Sequence, residues 1–86
     1  MLDRDAVLLK VKAVLAEIVN DEKVLEMPPT TSLKDDLGID SMNSLVLLMN
    51  LEKELEGFEV DVETLDASHF ESIGSIRDYV SMQLGL

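Results

Sequence analysis

One serine, Ser41, follows Asp40 directly and precedes a run of apolar residues, at a point where a helix is expected to begin. The simplest role of Asp40 is to cap that helix, because its side chain can accept the free backbone N–H groups of the first turn. The Ser41 hydroxyl is then not needed for capping and points outward. Since the N-terminus of a helix favours negative charge, this position is suited to carrying a phosphate ester.

Catalysis at Ser41 would require a second group that activates the hydroxyl, and the sequence offers little for that task. His69 is the only histidine, and the chain has no cysteine, no glycine-rich phosphate loop and no G-x-S-x-G elbow. We therefore expect His69 to be solvated or partly packed, and the protein not to be an enzyme. The acidic stretch DDLGID lacks the EF-hand spacing of acids, glycine and closing glutamate, so no metal site is expected either.

The chain before this serine reads as an amphipathic helix followed by a long connection. A helical pattern runs from Asp3 to Asn20, with its apolar residues on one face. They are Val7, Leu8, Val11, Val14, Leu15 and Ile18. The next stretch, 21–40, shows no helical periodicity and is long for a compact domain, and Pro28 and Pro29 exclude a helix through their own position in it. Five apolar residues can hold it against the core: Val24, Leu25, Met27, Leu33 and Leu37.

The helix that begins at Asp40 or Ser41 is apolar on two sides and should end near Gly57, where a C-terminal cap needs positive φ. The inner stripe, which we assign to the core, consists of Leu47, Leu48, Leu51 and Leu55. The outer stripe lies nearly opposite and consists of Met42, Leu45, Val46 and Met49. Because so short a chain has few elements to cover both stripes, the outer stripe is either buried or, as we favour, a surface for transient partners.

The remaining sequence predicts one short turn and one closing helix. An acid-rich stretch, 58–64, precedes residues 65–70, which can form a single helical turn. The last helix can be capped by Ser72 or Ser75. Its apolar positions are Ile73, Ile76, Tyr79, Val80 and Leu84. We therefore predict an all-α fold in a single domain, 1–86: a small bundle of three main helices plus a short extra helix, with a long first loop.

Composition and charge restrict the possible partners. The formal net charge is −11, and residues 35–86 hold twelve acids against two bases, whereas residues 1–34 hold six acids and five bases. Such a field repels nucleic acid and anionic membranes and favours basic protein surfaces. Early charges at Asp3, Arg4 and Asp5 argue against a signal peptide, and the longest apolar run, 45–49, is far below the roughly 20 residues of a membrane span. We expect a soluble, cytoplasmic monomer.

The stretch DDLGIDSMNSLVLLMNLEKEL, 35–55, resembles the attachment region of acyl and peptidyl carrier proteins. In that family, the serine of an Asp-Ser-Leu or Asp-Ser-Met triplet carries a 4′-phosphopantetheine arm. The first amphipathic helix, the long loop ending in Leu-Gly-hydrophobic-Asp-Ser, the acidic second helix and the closing FESIGSIRDYV all agree with the family. The resemblance covers essentially the whole chain and implies an acyl-carrier-protein-like four-helix bundle.

The resemblance implies a role for each residue of the motif. Ser41 would carry the arm, added from coenzyme A by a phosphopantetheinyl transferase, with Gly38 and Asp40 completing the cofactor-binding motif. The arm supplies the thiol that this chain lacks and holds its cargo as a thioester. Further partners would be an acyl- or aminoacyl-loading enzyme and downstream synthases or tailoring enzymes. The implied docking surface consists of Asp35, Asp36, Met42, Val46, Met49, Glu52, Lys53 and Glu56.

Three positions depart from fatty-acid-synthesis carriers, which typically have acids where this chain has Asn43, Val46 and Lys53. The Asp-Ser-Met-Asn phrase and the HFESIGSIRDYV ending look more like free-standing carriers of polyketide, nonribosomal peptide or related specialised biosynthesis. A fatty-acid-synthesis or D-alanyl carrier is the alternative within the family. Outside it, a small acidic helical protein-interaction module would have the same fold and outer stripe, and would differ only at Ser41.

Overall fold

The computed structural model describes residues 3–61 and 63–86, and within them the chain forms three α-helices and two short 3₁₀ helices. Helix α1 spans Arg4–Val19, α2 spans Ser41–Glu54 and α3 spans Ile73–Gln83. The first 3₁₀ helix spans Glu22–Glu26 and the second spans Ala67–Phe70. The predicted all-α bundle, with three main helices, a short extra helix and a long first loop, is confirmed. No helix in the described part of the chain is long and apolar enough to cross a membrane.

Each α-helix begins directly after a side chain that caps it. The caps are Asp3, Asp40 and Ser72, whose side-chain oxygens accept hydrogen bonds of 2.9, 2.8 and 3.1 Å from the backbone N–H three residues later. These bonds satisfy donors that have no partner inside the helix. Of the two serines that could cap α3, Ser72 does so, and Ser75 supplies the N–H group.

Helix α2 ends earlier than its sequence predicts. Its last residue is Glu54 rather than a residue next to Gly57. The chain becomes extended at Leu55, with φ −116° and ψ 106°, and this lets both Leu55 and Phe58 enter the core. Gly57 does have the positive φ expected of it, +89°, but in the turn after the helix.

The core is aliphatic and is built mainly from the predicted faces of the three helices. Within α1, Val7, Val11, Val14 and Leu15 are buried, while Leu8 and Ile18 pack at its edge. The whole inner stripe is buried, as predicted, including Leu55 just beyond the end of α2. In α3, Ile73, Ile76, Tyr79 and Val80 are buried, and Leu84 is half-buried. Burial of these side chains is the main driving force for folding.

The connection between α1 and α2 packs against the core but is not devoid of helix. The sequence shows no helical period here, yet residues 22–26, which precede the two prolines, form a 3₁₀ helix that Asp21 caps through a 3.0 Å bond from the Lys23 N–H. Val24 and Leu33 are fully buried, as predicted. Leu25, one of the residues available to hold this stretch against the core, is instead 47% exposed, because the adjacent Val24 side chain is the one that faces the core.

The same connection is hydrogen-bonded to the beginning of α3. Three backbone bonds of 2.8 to 3.2 Å join residues 29–33 to residues 71–74. At the closest point, the Gly74 N–H donates to the Pro29 carbonyl over 2.8 Å. A Cβ atom on Gly74 would lie 3.1 Å from that carbonyl oxygen and 3.2 Å from the Pro29 Cβ. Only glycine therefore allows the loop to approach the helix this closely without displacement.

Candidate functional site

Ser41 is the first residue of α2, and its hydroxyl is not used to hold the helix together. As predicted, Asp40 is the cap: its carboxylate accepts a 2.8 Å bond from the Asn43 N–H. The Asp40 carbonyl also accepts a 2.9 Å bond from the Ser44 hydroxyl. Ser41 is exposed, and within residues 3–61 and 63–86 no hydrogen bond involves its hydroxyl. The side chain is therefore free to react at the positive end of the helix dipole.

The turn before Asp40 fixes the position of this serine. Gly38 has φ +66°, a left-handed conformation that side chains disfavour, and its N–H donates to the Lys34 carbonyl over 3.2 Å. The next residue, Ile39, donates to the Leu33 carbonyl over 2.8 Å and is only 5% exposed. Burial of Ile39 therefore anchors the chain two residues before Ser41.

A groove of about 410 Å³ opens beside Ser41, between the start of α2 and the second 3₁₀ helix. It is mainly apolar and is open to solvent on one side. The residues that line it are Lys34, Ile39, Ser41, Ser44, Leu45, Ala67 and Phe70. The sequence alone does not reveal this groove, because its walls come from three separate segments. The available signal was the aromatic Phe70, in a chain that has only three aromatic residues.

The wall formed by the second 3₁₀ helix is held by His69. The His69 Nδ1 atom accepts a 3.0 Å bond from the Asp66 N–H, and the Asp66 carboxylate in turn accepts from backbone N–H groups of the turn, which completes a capping box. The His69 ring lies 4.7 Å from the Tyr79 ring, centroid to centroid. Of the two expected environments, solvated or partly packed, His69 has the second, and its contacts give it a structural role.

The Tyr79 hydroxyl ties the connection between α2 and α3 to the core. It accepts a 3.0 Å bond from the Asp61 N–H and donates to the Asp61 carbonyl over 3.3 Å. Its ring also packs edge-on against Phe58, with the ring centroids 6.3 Å apart. Tyr79 thereby supports both His69 and the chain that leads to the groove wall.

The outer stripe of α2 is exposed, as we favoured from the sequence. Met42, Leu45, Val46 and Met49 are 74%, 55%, 39% and 60% exposed, respectively. Their spacing places them along one side of the helix, next to the groove, and Leu45 belongs to both surfaces. Contiguous exposed apolar side chains of this kind mark interaction surfaces.

The charged residues predicted to surround this stripe are all exposed, but two of them also have internal roles. They are Asp35, Asp36, Glu52, Lys53 and Glu56. The Asp36 carboxylate accepts a 2.8 Å bond from the Ser32 N–H, and the Glu52 carboxylate accepts one of 2.8 Å from the Val60 N–H. Among the described residues, no cluster of acids or histidine has the geometry to hold a metal ion.

Comparison with known proteins is consistent with this geometry. A family model described as the phosphopantetheine attachment site matches residues 10–80. An acyl carrier protein of Thermotoga maritima is 33% identical over 87 residues, which cover 99% of this chain and 100% of the relative. An acyl carrier protein of Desulforapulum autotrophicum is 32% identical over 71 residues, 83% of this chain and 88% of the relative. No solved structure gives a significant match.

The family match runs from within α1 to within α3 and so includes the described groove and the outer stripe. This family is one of carriers and not of catalysts. Its members interact in general with phosphopantetheinyl transferases and with synthases. The chain belongs to the acyl carrier protein family, whose members hold 4′-phosphopantetheine covalently.

Proposed function

We propose that Ser41 carries the 4′-phosphopantetheine arm and that the protein presents an acyl or aminoacyl group to partner enzymes as a thioester. The proposal rests on the different roles of Asp40 and Ser41 at the start of α2. Asp40 caps the helix through its 2.8 Å bond from Asn43, whereas the Ser41 hydroxyl is exposed and makes no hydrogen bond within the described residues. A serine that the fold does not use is available for modification.

The surroundings of Ser41 fit such a group. A phosphodiester on the Ser41 oxygen would lie at a helix N-terminus, where the dipole and unpaired N–H groups favour negative charge. When bound, the arm supplies a thiol, which this chain without cysteine cannot provide. In the modification, the Ser41 oxygen bonds to the pantetheine-bearing phosphorus of coenzyme A, the hydroxyl proton leaves to a base on the transferase, and adenosine 3′,5′-bisphosphate departs.

Intact-protein mass spectrometry tests the attachment directly. The protein is incubated with coenzyme A and a broad-specificity phosphopantetheinyl transferase, beside Ser41→Ala and the matched control Ser68→Ala, which changes another exposed serine. We expect a gain of one phosphopantetheine in the wild type and in Ser68→Ala, and none in Ser41→Ala. If several transferases add nothing to the wild type, the protein acts instead as an acidic interaction module through its outer stripe.

We propose further that partner enzymes dock on the outer stripe and on the charged residues around it. These enzymes are the transferase, an acyl- or aminoacyl-loading enzyme, and downstream synthases or tailoring enzymes. The apolar centre supplies contact area, while Asp35, Asp36, Glu52 and Glu56 attract basic partner surfaces. Exposure of Met42 and Met49 supports this role, since flexible methionines adapt to different partner surfaces.

The composition of this face favours a specialised biosynthetic pathway over housekeeping fatty-acid synthesis. Asn43, Val46 and Lys53 replace three acids that carriers of the latter kind typically present, and Val46 and Lys53 are exposed here. A partner evolved for such acids would meet fewer carboxylates and one repulsive lysine on this protein. We therefore assign the carrier to polyketide, nonribosomal peptide or related biosynthesis, with a fatty-acid-synthesis or D-alanyl carrier as the alternative.

A reversal of these three positions tests the pathway assignment. A fatty-acid-synthesis malonyl transferase and an aminoacyl-adenylating enzyme are offered to the modified wild type and to the triple variant Asn43→Asp, Val46→Glu, Lys53→Glu. We expect poor malonyl loading of the wild type and faster malonyl loading of the variant. Efficient malonyl loading of the wild type, with no gain in the variant, would instead assign the protein to fatty-acid synthesis, and D-alanine loading would assign it to the D-alanyl carriers.

A further inference from the structure

We propose that Lys34 binds the phosphodiester at Ser41 and directs the phosphopantetheine arm into the groove between α2 and the second 3₁₀ helix. The inference rests on the proposed attachment at Ser41 and adds a positioning residue to it. Lys34 and Ser41 line the same groove, although the turn around Gly38 separates them in the chain. An arm that begins on Ser41 therefore starts at the edge of this groove, with a lysine on the wall.

The charge distribution makes Lys34 the cation best placed to meet the phosphodiester. In the sequence, the new negative charge would follow Asp35, Asp36 and Asp40. Residues 35–86, to which these acids belong, carry twelve acids and only two bases, and Lys34 directly precedes them. Those two bases are Lys53, in the last turn of α2, and Arg77, which is paired with Asp78. Within residues 3–61 and 63–86, Lys34 takes part in none of the ion pairs, and its side chain is exposed and lines the same groove as Ser41.

The groove offers the arm both a positive charge and an apolar surface. A phosphopantetheine arm has an anionic phosphate, followed after one methylene group by a carbon that bears two methyl groups. Lys34 is the one charged side chain among the lining residues, and Ile39, Leu45 and Phe70 supply apolar surface beside it. The lysine meets the phosphate as a point charge, while the apolar side chains offer a dry contact for the methyl groups.

Nuclear magnetic resonance on the modified protein tests this role without any enzymatic readout. Backbone amide shifts of Ala67 and Phe70, and the phosphorus resonance of the phosphodiester, are compared before and after modification in the wild type. The variants are Lys34→Gln, the charge-retaining Lys34→Arg, and Lys23→Gln as a matched control on an exposed lysine outside the groove. Spectra of the unmodified variants establish that each one folds like the wild type.

We expect modification to shift the Ala67 and Phe70 amides in the wild type, in Lys34→Arg and in Lys23→Gln. In Lys34→Gln these shifts should fall to less than about half, and about 0.5 M NaCl should reduce the wild-type shifts in the same direction, because salt screens an exposed ion pair. The phosphorus resonance should move between wild type and Lys34→Gln and return in Lys34→Arg. A purely structural lysine would not produce this rescue.

The outcomes that overturn the inference differ from those that overturn attachment. If mass spectrometry shows the modification but Ala67 and Phe70 do not shift, the arm does not enter the groove and the inference is wrong. If they shift equally in wild type and Lys34→Gln, the arm enters without help from Lys34, and the positioning role is wrong. Absence of the modification itself would contradict the attachment at Ser41.

Discussion

The two sides of α2 are similar in composition and opposite in environment. The inner stripe carries four leucines, all at most 3% exposed, and the outer stripe carries four equally apolar residues, all at least 39% exposed. The helix therefore contains more apolar surface than the fold needs. Leu45 and Leu48, one turn apart in sequence, are 55% and 1% exposed. Hydrophobicity by itself does not tell which residues stabilise this protein.

The difference follows from what surrounds the helix. Helix α1 packs against one side of α2, where the inner stripe joins the same core cluster as the buried residues of α1 and α3, and no element in residues 3–61 and 63–86 covers the outer stripe. Apolar area that is exposed in the folded and unfolded chain alike adds nothing to stability, whereas area removed from water contributes about 25 cal/mol per Å². The inner stripe thus has a structural role, and the outer stripe is left for partners.

The largest expected difference in the free energy of unfolding is between truncations on the two sides of α2. Leu47→Ala removes a fully buried side chain and should lower the free energy of unfolding by about 2–5 kcal/mol, because it leaves a cavity. Met49→Ala removes a side chain that is 60% exposed and should change that free energy by less than about 0.5 kcal/mol. Urea denaturation measures both values. Equal losses would mean that the outer stripe is buried in solution.

A charge placed on the outer stripe should affect binding and leave the fold intact. Val46→Asp adds a carboxylate to the centre of the docking face and should lower the kcat/KM of the phosphopantetheinyl transferase about tenfold. Leu9→Asp is the matched control, since Leu9 is 64% exposed on α1, away from this face. Thermal melting establishes that both variants fold. An equal loss in Leu9→Asp would place the docking surface elsewhere.

A smaller change in stability is expected when a buried polar atom is removed from the core. In the described structure the Ser81 hydroxyl, on α3, is fully buried and has no hydrogen-bond partner. Ser81→Ala removes this unsatisfied group and adds helix propensity, so stability should rise by about 1 kcal/mol. The melting temperature should increase by about 4–8 °C, and Ser75→Ala, which breaks a bond at the α3 cap, should lower it. A loss of stability in Ser81→Ala would contradict the assignment of an unsatisfied hydroxyl.

The smallest expected change in melting temperature is that caused by salt, which acts on exposed carboxylates. Seven acids lie between Glu52 and Asp66 with only Lys53 among them, and these carboxylates repel one another. Added NaCl or Mg²⁺ should raise the melting temperature by less than about 5 °C, because it screens that repulsion. Scanning calorimetry at two ionic strengths measures the change. No increase would mean that the carboxylates are already well dispersed.

Much of this fold could be predicted because its signals are local. Asp3, Asp40 and Ser72 mark the helix starts, and the helical spacing of apolar residues identifies the buried faces. The errors occur where local preference is weak. The first 3₁₀ helix is too short to show a period, so the exposure of Leu25 could not be anticipated.

The candidate site was predictable only in part, for the same reason. Asp40 and Ser41 are adjacent, and their separate roles follow from helix capping alone. The groove is different, because it brings Lys34, Leu45 and Phe70 together from a loop, a helix and a turn. No periodicity relates such positions, since their proximity arises from tertiary packing.

The contact between Gly74 and Pro29 has a mechanical consequence. Because backbone bonds join residues 29–33 to residues 71–74, the loop that leads into α2 is attached to the start of α3. A cargo that enters between the helices would therefore have to separate them elsewhere. A side chain at position 74 would push this loop away from α3, and the displacement would pass along the loop toward Ser41 without any direct contact with the serine.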